Sequence, residues 1–207
     1  MRIGIIGTGS IGRTLGRRWA PRHEIVLGSR RPEAAEVLAA VAEAGKNARA
    51  AGVAEAAAFG DVVVLATPWR ATLDVVRGAG DLAGKVIVDC TNPVGPGLRH
   101  ALPSGSATEA IAAQVPSARV VKAFNTAGFE VFADPRFGDE AASLFLCGDD
   151  AAAKETVAGL ARDVEMDPVD CGGLVQARRL EELALLWISL AGQGGRAHAF
   201  RLLRRQA

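Results

Sequence analysis

The chain has 207 residues, 49% of them hydrophobic, with 24 Lys and Arg against 23 Asp and Glu for a formal net charge of +1. Both signs are spread along it, so there is no field for nucleic acid or for an anionic membrane surface, and a small molecule is the expected partner. The three cysteines, Cys90, Cys147 and Cys171, and the three histidines, His23, His100 and His198, stand singly and far apart, which argues against a disulfide framework and against a metal site.

Short apolar runs alternate with helical patterns, the signature of a parallel sheet wound by helices. A strand is predicted at residues 2–6 and a helix at 10–20, joined by Gly7-Thr8-Gly9-Ser10-Ile11-Gly12. In that context Gly7 allows a sharp turn, Gly9 lets backbone approach a pyrophosphate, and Gly12 permits close packing of helix on strand. The helix N-terminus then offers N–H groups and a positive dipole end to phosphates.

A second strand at 24–27 is followed by Gly28-Ser29-Arg30-Arg31. NAD sites usually place a carboxylate there for the ribose 2′-hydroxyl. Here a hydroxyl and two guanidiniums stand instead, and arginine's planar fork matches phosphate oxygens. NADP is therefore the predicted dinucleotide.

A helix over 32–44, with Pro32 in its first turn, leads to a short strand at 47–50 and an alanine-rich helix at 53–58. Valine-rich strands at 61–66 and 85–89 end in Thr67-Pro68 and in Thr91-Asn92-Pro93, and residues 94–105 read as a loop. A helix at 106–114, a strand at 119–123, a strand at 142–147, a helix at 150–162 and a strand at 165–170 follow. From about 174 the pattern is helical and broken near Gly192, Gly194 and Gly195. The predicted fold is α/β: a Rossmann-like, doubly wound, mainly parallel sheet. Residues 1–173 form the NADP-binding domain, and a small C-terminal helical extension at 174–207 packs on it as one structural unit.

The start of the chain lacks the pattern of a signal peptide, and the longest apolar run is well short of the ~20 residues that span a bilayer. A cytoplasmic protein is expected. There is no tyrosine, so the Tyr–Lys proton donation of short-chain dehydrogenases and aldo-keto reductases is excluded. The large helical substrate domain of the β-hydroxyacid dehydrogenases is not expected either. No catalytic acid or base is predicted. Reduction of a carbonyl needs a proton donor, whereas transfer of hydride from a nicotinamide to a flavin-type ring needs mainly two rings held face to face.

Several segments together resemble the coenzyme F420-dependent NADP oxidoreductase family: the glycine turn, Gly-Ser-Arg-Arg at 28–31, Thr67-Pro68-Trp69, Lys122-Ala123-Phe124-Asn125-Thr126, Leu146-Cys147-Gly148-Asp149-Asp150 and the stretch 170–178. The resemblance implies a soluble, often dimeric enzyme that exchanges hydride between NADPH and a deazaflavin, coenzyme F420, or a flavin. It implies a 2′-phosphate on Ser29 and Arg30, with Thr8 and Arg31 nearby. It also implies a cleft lined by Thr67, Pro68, Asn92 and Pro93, and a nicotinamide beside Ala123 to Thr126, with Ala123 and Asn125 among the cofactor-binding residues. Archaeal deazaflavin reductases carry a histidine where Asn125 stands. The Lys-Ala-Phe-Asn-Thr segment is closer to the reductase domain of six-transmembrane ferric reductases, which reduces FAD. Reduction of an imine or carbonyl, and a non-catalytic NADP-binding sensor, are the alternatives.

Single side chains leave choices open. Asn125 can orient a carboxamide or cap its own turn. Lys122 can bind an acidic substrate tail, supply a proton, or end a strand in solvent. Trp69 can stack on a ring or wedge between helix and sheet. Leu183, Leu186, Trp187 and Leu190 share a helix face that serves the core or a dimer interface. Phe124, Phe129, Phe132 and Phe137 form a lid or plain packing. Arg201, Arg204 and Arg205 are placed to favour a C-terminal helix dipole.

Overall fold

A computed structural model describes residues 1–205. The first half runs β1 (Arg2–Ile6), α1 (Ser10–Trp19), β2 (Glu24–Gly28), α2 (Ala35–Ala44), β3 (Ala48–Ala51), α3 (Val53–Phe59), β4 (Val62–Leu65), α4 (Trp69–Gly78) and β5 (Val86–Asp89). The second half runs α5 (Ala107–Gln114), β6 (Arg119–Lys122), α6 (Phe129–Ala133), β7 (Arg136–Phe137), β8 (Glu140–Ala141), β9 (Ser143–Gly148), α7 (Ala151–Asp163), β10 (Asp167–Asp170) and α8 (Ala177–Gly194). Short 3₁₀ turns occupy Pro96–Leu98 and Leu174–Gln176.

Eight strands form one sheet in the order β10-β9-β6-β5-β4-β1-β2-β3, and β7 pairs with β8 in a small hairpin. The central strands read Val-Val-Val-Leu and Val-Ile-Val-Asp and are buried along their whole length, as β-branched runs must be where helices cover both faces. Pairing is parallel from β3 through β6, with Ile5 of β1 opposite Leu27 on one side and Val64 on the other. β9 joins β6 antiparallel, and β10 then runs parallel to β9. Because β2 and β4 flank β1 on opposite sides, the crossovers diverge there and open a crevice beyond the carboxyl ends of the strands.

One core joins the two ends of the chain. Trp19 of α1 is fully buried, and its indole N–H donates to Leu160 O of α7 at 2.9 Å. Its ring meets Phe124 edge-on at 5.3 Å, and Phe124 meets Phe132 at 5.7 Å. Phe124 and Phe132 are thus packing residues, while Phe137 sits partly exposed on the hairpin. Helix starts follow local chemistry: Ser106 accepts from Glu109 N and Asp150 accepts from Ala153 N.

The structure departs from the sequence reading at four places. Residues 29–34 form a turn, so Pro32 precedes α2 rather than opening it. Glu165 takes a positive φ of 63° and turns the chain, so the last strand starts at Asp167. Helices α4 and α6 and the β7–β8 hairpin have no counterpart in the predicted elements. α4 buries Thr72 and Val76 and packs Trp69 and Leu73 against the same side of the sheet. Finally, α8 ends at Gly195, and Arg201, Arg204 and Arg205 lie outside any helix. Arg201 instead pairs with Glu140 and Asp167. Among the described residues no helix is long and apolar enough to cross a membrane.

Replacing Trp19 by alanine is expected to destabilise the fold by about 3–5 kcal/mol through lost burial and the cavity left behind. Phenylalanine there should cost less, about 1–3 kcal/mol, because the Leu160 carbonyl loses its donor. Urea midpoints of the two variants check the order.

Candidate functional site

The turn between β1 and α1 is built for close approach. Gly7 has φ 109°, its N–H donates to Gly28 O at 3.1 Å, and a Cβ on it would lie 2.5 Å from Ala66 O. A Cβ on Gly12 would lie 2.0 Å from Gly7 O, so any side chain there would push α1 off the sheet. Gly9 is the opposite case, since a Cβ on it would meet nothing within 4 Å. Gly9 also caps α1 without a side chain. The first helical N–H groups, from Ser10 to Gly12, are thereby left free for an anion.

These residues border a cleft of about 820 Å³ at the carboxyl ends of the strands. Gly7, Thr8, Gly9, Ser10 and Ile11 form one wall, and Thr67 and Pro68 lie opposite. The Thr67 and Thr72 hydroxyls bond at 2.8 Å and Thr72 also donates to Pro68 O, which fixes that loop to α4. Trp69 packs on the apolar cluster around Ile6 and Leu65, as a wedge between α4 and the sheet, and also lines the cleft.

Past β2, Ser29 and Arg30 line the cleft beside Ala71 and Val75. Arg30 is exposed and makes no hydrogen bond or ion pair with any described residue. Ser29 Oγ accepts from Arg31 N at 3.2 Å and shapes the turn. Arg31, next along, is not among the lining residues and pairs with Glu36 at 3.2 Å. These features suit a 2′-phosphorylated dinucleotide: bare helix N–H groups, room over Gly9 and an unpaired guanidinium.

At the far end the cleft meets Cys90, Thr91 and Asn92. Burial, with Asp89 adding to it, pushes the Cys90 thiol far up, so it is no nucleophile. Thr91 Oγ1 is buried with no partner. Asn92 donates to Asn125 O at 2.8 Å, and Asn125 donates back to Asn92 Oδ1 and to Leu180 O, each at 3.0 Å. Pro93, Ala123 and Asn125 are buried and lie behind the cleft wall that Asn92 presents. Asn125 neither caps its own turn nor opens to the cleft; it braces Asn92.

Lys122 departs most from the sequence reading. Its side chain is fully buried, 2.9 Å from Asp89 Oδ2 and 3.1 Å from Glu181 Oε1, and it also donates to Thr91 O. It neither ends in solvent nor reaches a substrate. Desolvation pushes its ammonium down, but the two carboxylates outweigh that and raise it overall. Asp89 also accepts from Thr91 N and Thr108 Oγ1, each at 2.8 Å. Glu181 accepts from Ala107 N at 3.0 Å and from His100 Nε2 at 2.6 Å.

Among the cleft residues that the sequence did not single out for the site are Cys90, Thr91 and Arg196, and Phe129, open to a lid or a packing role, lines the cleft as well. Thr91 adjoins the Asn92-Pro93 pair and was within reach of the strand-end rule. Arg196 carries no local signal, because only the fold brings the segment after α8 to the cleft.

Known proteins resemble this chain over most of its length. The family model described as NADP oxidoreductase, coenzyme F420-dependent, matches residues 2–93. The F420-dependent NADP reductase of Methanocaldococcus jannaschii is 31% identical over 206 residues, covering 92% of each chain. Rat metalloreductase STEAP3 is 32% identical over 187 residues, 89% of this chain but only 36% of that protein. This chain therefore spans about a third of the metalloreductase. A crystal structure of a candidate F420-dependent NADP reductase from Arthrobacter sp. FB24 superposes with a TM-score of 0.89 at 32% identity, covering 99% of this chain and 100% of that one.

Lys122→Met should destabilise the protein by about 3–5 kcal/mol, because two buried carboxylates lose their cation. The folded pKa of Lys122 is raised, so its contribution is full below the unfolded value and fades as pH rises through the folded one. The gap between wild type and variant in urea melts should hold from pH 7 to 9 and narrow only above about pH 10.

Proposed function

This chain belongs to the F420-dependent NADP reductase family, and we propose that it passes hydride between NADPH and the ring of a deazaflavin, coenzyme F420. That it is an NADP-dependent oxidoreductase follows from the family. The acceptor is the proposed part. The observation that carries it is the composition of the cleft. One end offers Ser29 and an unpaired Arg30, and the other offers Cys90, Thr91 and Asn92 with no histidine, lysine or tyrosine among the lining residues.

NADPH, when bound, supplies the hydride. The chain's own residues then have three tasks. The N–H groups of Ser10 to Gly12 hold the pyrophosphate, and Ser29 and Arg30 hold the 2′-phosphate, with Arg31 at the rim able to exchange Glu36 for it. Thr67, Pro68 and Asn92 border the path between the two ends, and Asn125, Ala123 and Pro93 brace the nicotinamide end from behind. The Thr91 hydroxyl, buried without a partner, fits a carboxamide of the nicotinamide.

Because Lys122 is locked between carboxylates, it is no proton source for an imine or carbonyl, and a ring acceptor fits better. The same reading places the enzyme in the cytoplasm as a homodimer, for which the exposed Leu186 and Leu190 of α8 offer apolar surface.

NADPH should bind at least tenfold more tightly than NADH, and Arg30→Ala should erase most of that preference while leaving NADH affinity within about twofold. Equal affinities in wild type would remove the 2′-phosphate site. Loss of NADPH absorbance on adding deazaflavin, FMN or FAD tests the acceptor. Turnover with deazaflavin supports the proposal, and turnover confined to the flavins overturns it.

A further inference from the structure

The cleft has a second arginine that the dinucleotide reading leaves unused. Arg196 follows α8 and, with Phe129 at the start of α6, lines the cleft on the side reached after β6. Arg30 follows β2, and β2 and β6 are separated by β1, β4 and β5. Four strand spacings put their carboxyl ends about 19 Å apart.

Arg196 is held in place before any ligand arrives. Its guanidinium lies 5.7 Å from the Phe129 ring centroid and 5.1 Å from that of Trp187. Its Nε donates to Glu130 Oε1 at 2.5 Å. Trp187 is fixed in turn, donating to His198 O at 2.9 Å and stacking on the His198 ring at 4.7 Å. Gly128 leaves the room, since a Cβ there would lie 2.6 Å from the Trp187 ring and 2.9 Å from Arg196 Nη2.

Glu130 occupies only the Nε edge of the fork. The two terminal nitrogens make no hydrogen bond with any described residue, and the Arg196 side chain is 49% exposed. A planar guanidinium with its other edge occupied is a preorganised receptor for anionic oxygens. Little ordering entropy remains to be lost there when a ligand binds.

We infer that Arg196, seated on Phe129 and Trp187 and oriented by Glu130, is a subsite for an anionic group carried by the hydride acceptor. Phe129 supplies a flat apolar surface next to it. The subsite therefore takes a planar ring bearing a carboxylate or phosphate on its side chain. This rests on the hydride-transfer reading for the ring, and on Arg196 alone for the charge.

The test uses NADP⁺-loaded full-length protein and three deazaflavins that share one ring, with side chains ending in an alcohol, a carboxylate or a phosphate. Binding is followed by ligand fluorescence. Wild type should bind the tighter of the two charged forms at least tenfold better than the alcohol, and which of them that is identifies the anion. In Arg196→Gln the difference should shrink to twofold or less, with the affinities for the alcohol form and for NADP⁺ unchanged within twofold. A difference that survives in Arg196→Gln overturns the inference. So does a tenfold loss of NADP⁺ affinity, which would assign Arg196 to the dinucleotide, and so does failure of all three rings to bind. Charge-dependent binding without hydride transfer would overturn the proposed function and leave the anion subsite standing.

Discussion

Lys122 closes the end of β6 with an ammonium shared between Asp89 of β5 and Glu181 of α8, and the bottom of the cleft hangs on that contact. Neither carboxylate nor the lysine has any side-chain exposure. Isolated charges in such a place would cost several kcal/mol each. They are tolerated because nearly every lone pair has a donor: Thr91 N and Thr108 on Asp89, Ala107 N and His100 on Glu181. One ammonium faces two carboxylates. His100 Nε2, 2.6 Å from Glu181 Oε2, brings the hydrogen that the second one needs, since a carboxylate oxygen accepts. The network thus ties two strands, the start of α5, the loop before it and the C-terminal helix into one body.

The consequence for the site is positional. Thr91 is gripped at both ends of its backbone, its N–H by Asp89 and its carbonyl by Lys122. Its side chain is presented at the cleft with the hydroxyl unspent. Asn92, next along, is braced by Asn125. A hydride donor needs its ring at a fixed distance and angle from the acceptor, because misplacement of about 1 Å costs orders of magnitude in rate. The charges lie behind the wall rather than in the cleft, so they fix geometry without offering a proton to the reacting rings.

How much of this was legible depends on the range of the cause. The glycine turn is largely a local device: Gly12 is required by its contact with Gly7 O within one β–α unit, and Gly7 by its positive φ as well as by the end of β4 at Ala66, and the sequence pattern reports both. The buried strands are legible because burial on both faces selects β-branched runs. Lys122 is not legible. A lysine after Arg-Val-Val reads as a strand end, and nothing near it reveals that Glu181, in a helix formed much later in the chain, will cover it. Arg196 is hidden for the same reason. Helix α4 was within reach of the pattern, since Trp69, Thr72, Leu73 and Val76 stand at helical spacing on the face that packs on the sheet.

The two arginines of the cleft differ in a way that separates their tasks. Arg30 has no partner and no aromatic support, so its fork is free to close on whatever phosphate reaches the end of β2. Arg196 lies over the rings of Phe129 and Trp187 and has a carboxylate at one edge, so its position is held before a ligand binds. A flexible cation suits a ligand anchored elsewhere, and the bare N–H groups at the start of α1 are the anchor that the proposed function assigns to a pyrophosphate. A fixed cation suits a ligand that must be oriented on arrival, which is the requirement on a ring that enters, takes hydride and leaves. The same logic explains why Glu130 is held below the usual carboxylate range: burial pushes its carboxyl up, and the Arg196 guanidinium outweighs that. A charged Glu130 keeps the fork aimed while the N–H donors of the two terminal nitrogens stay unspent.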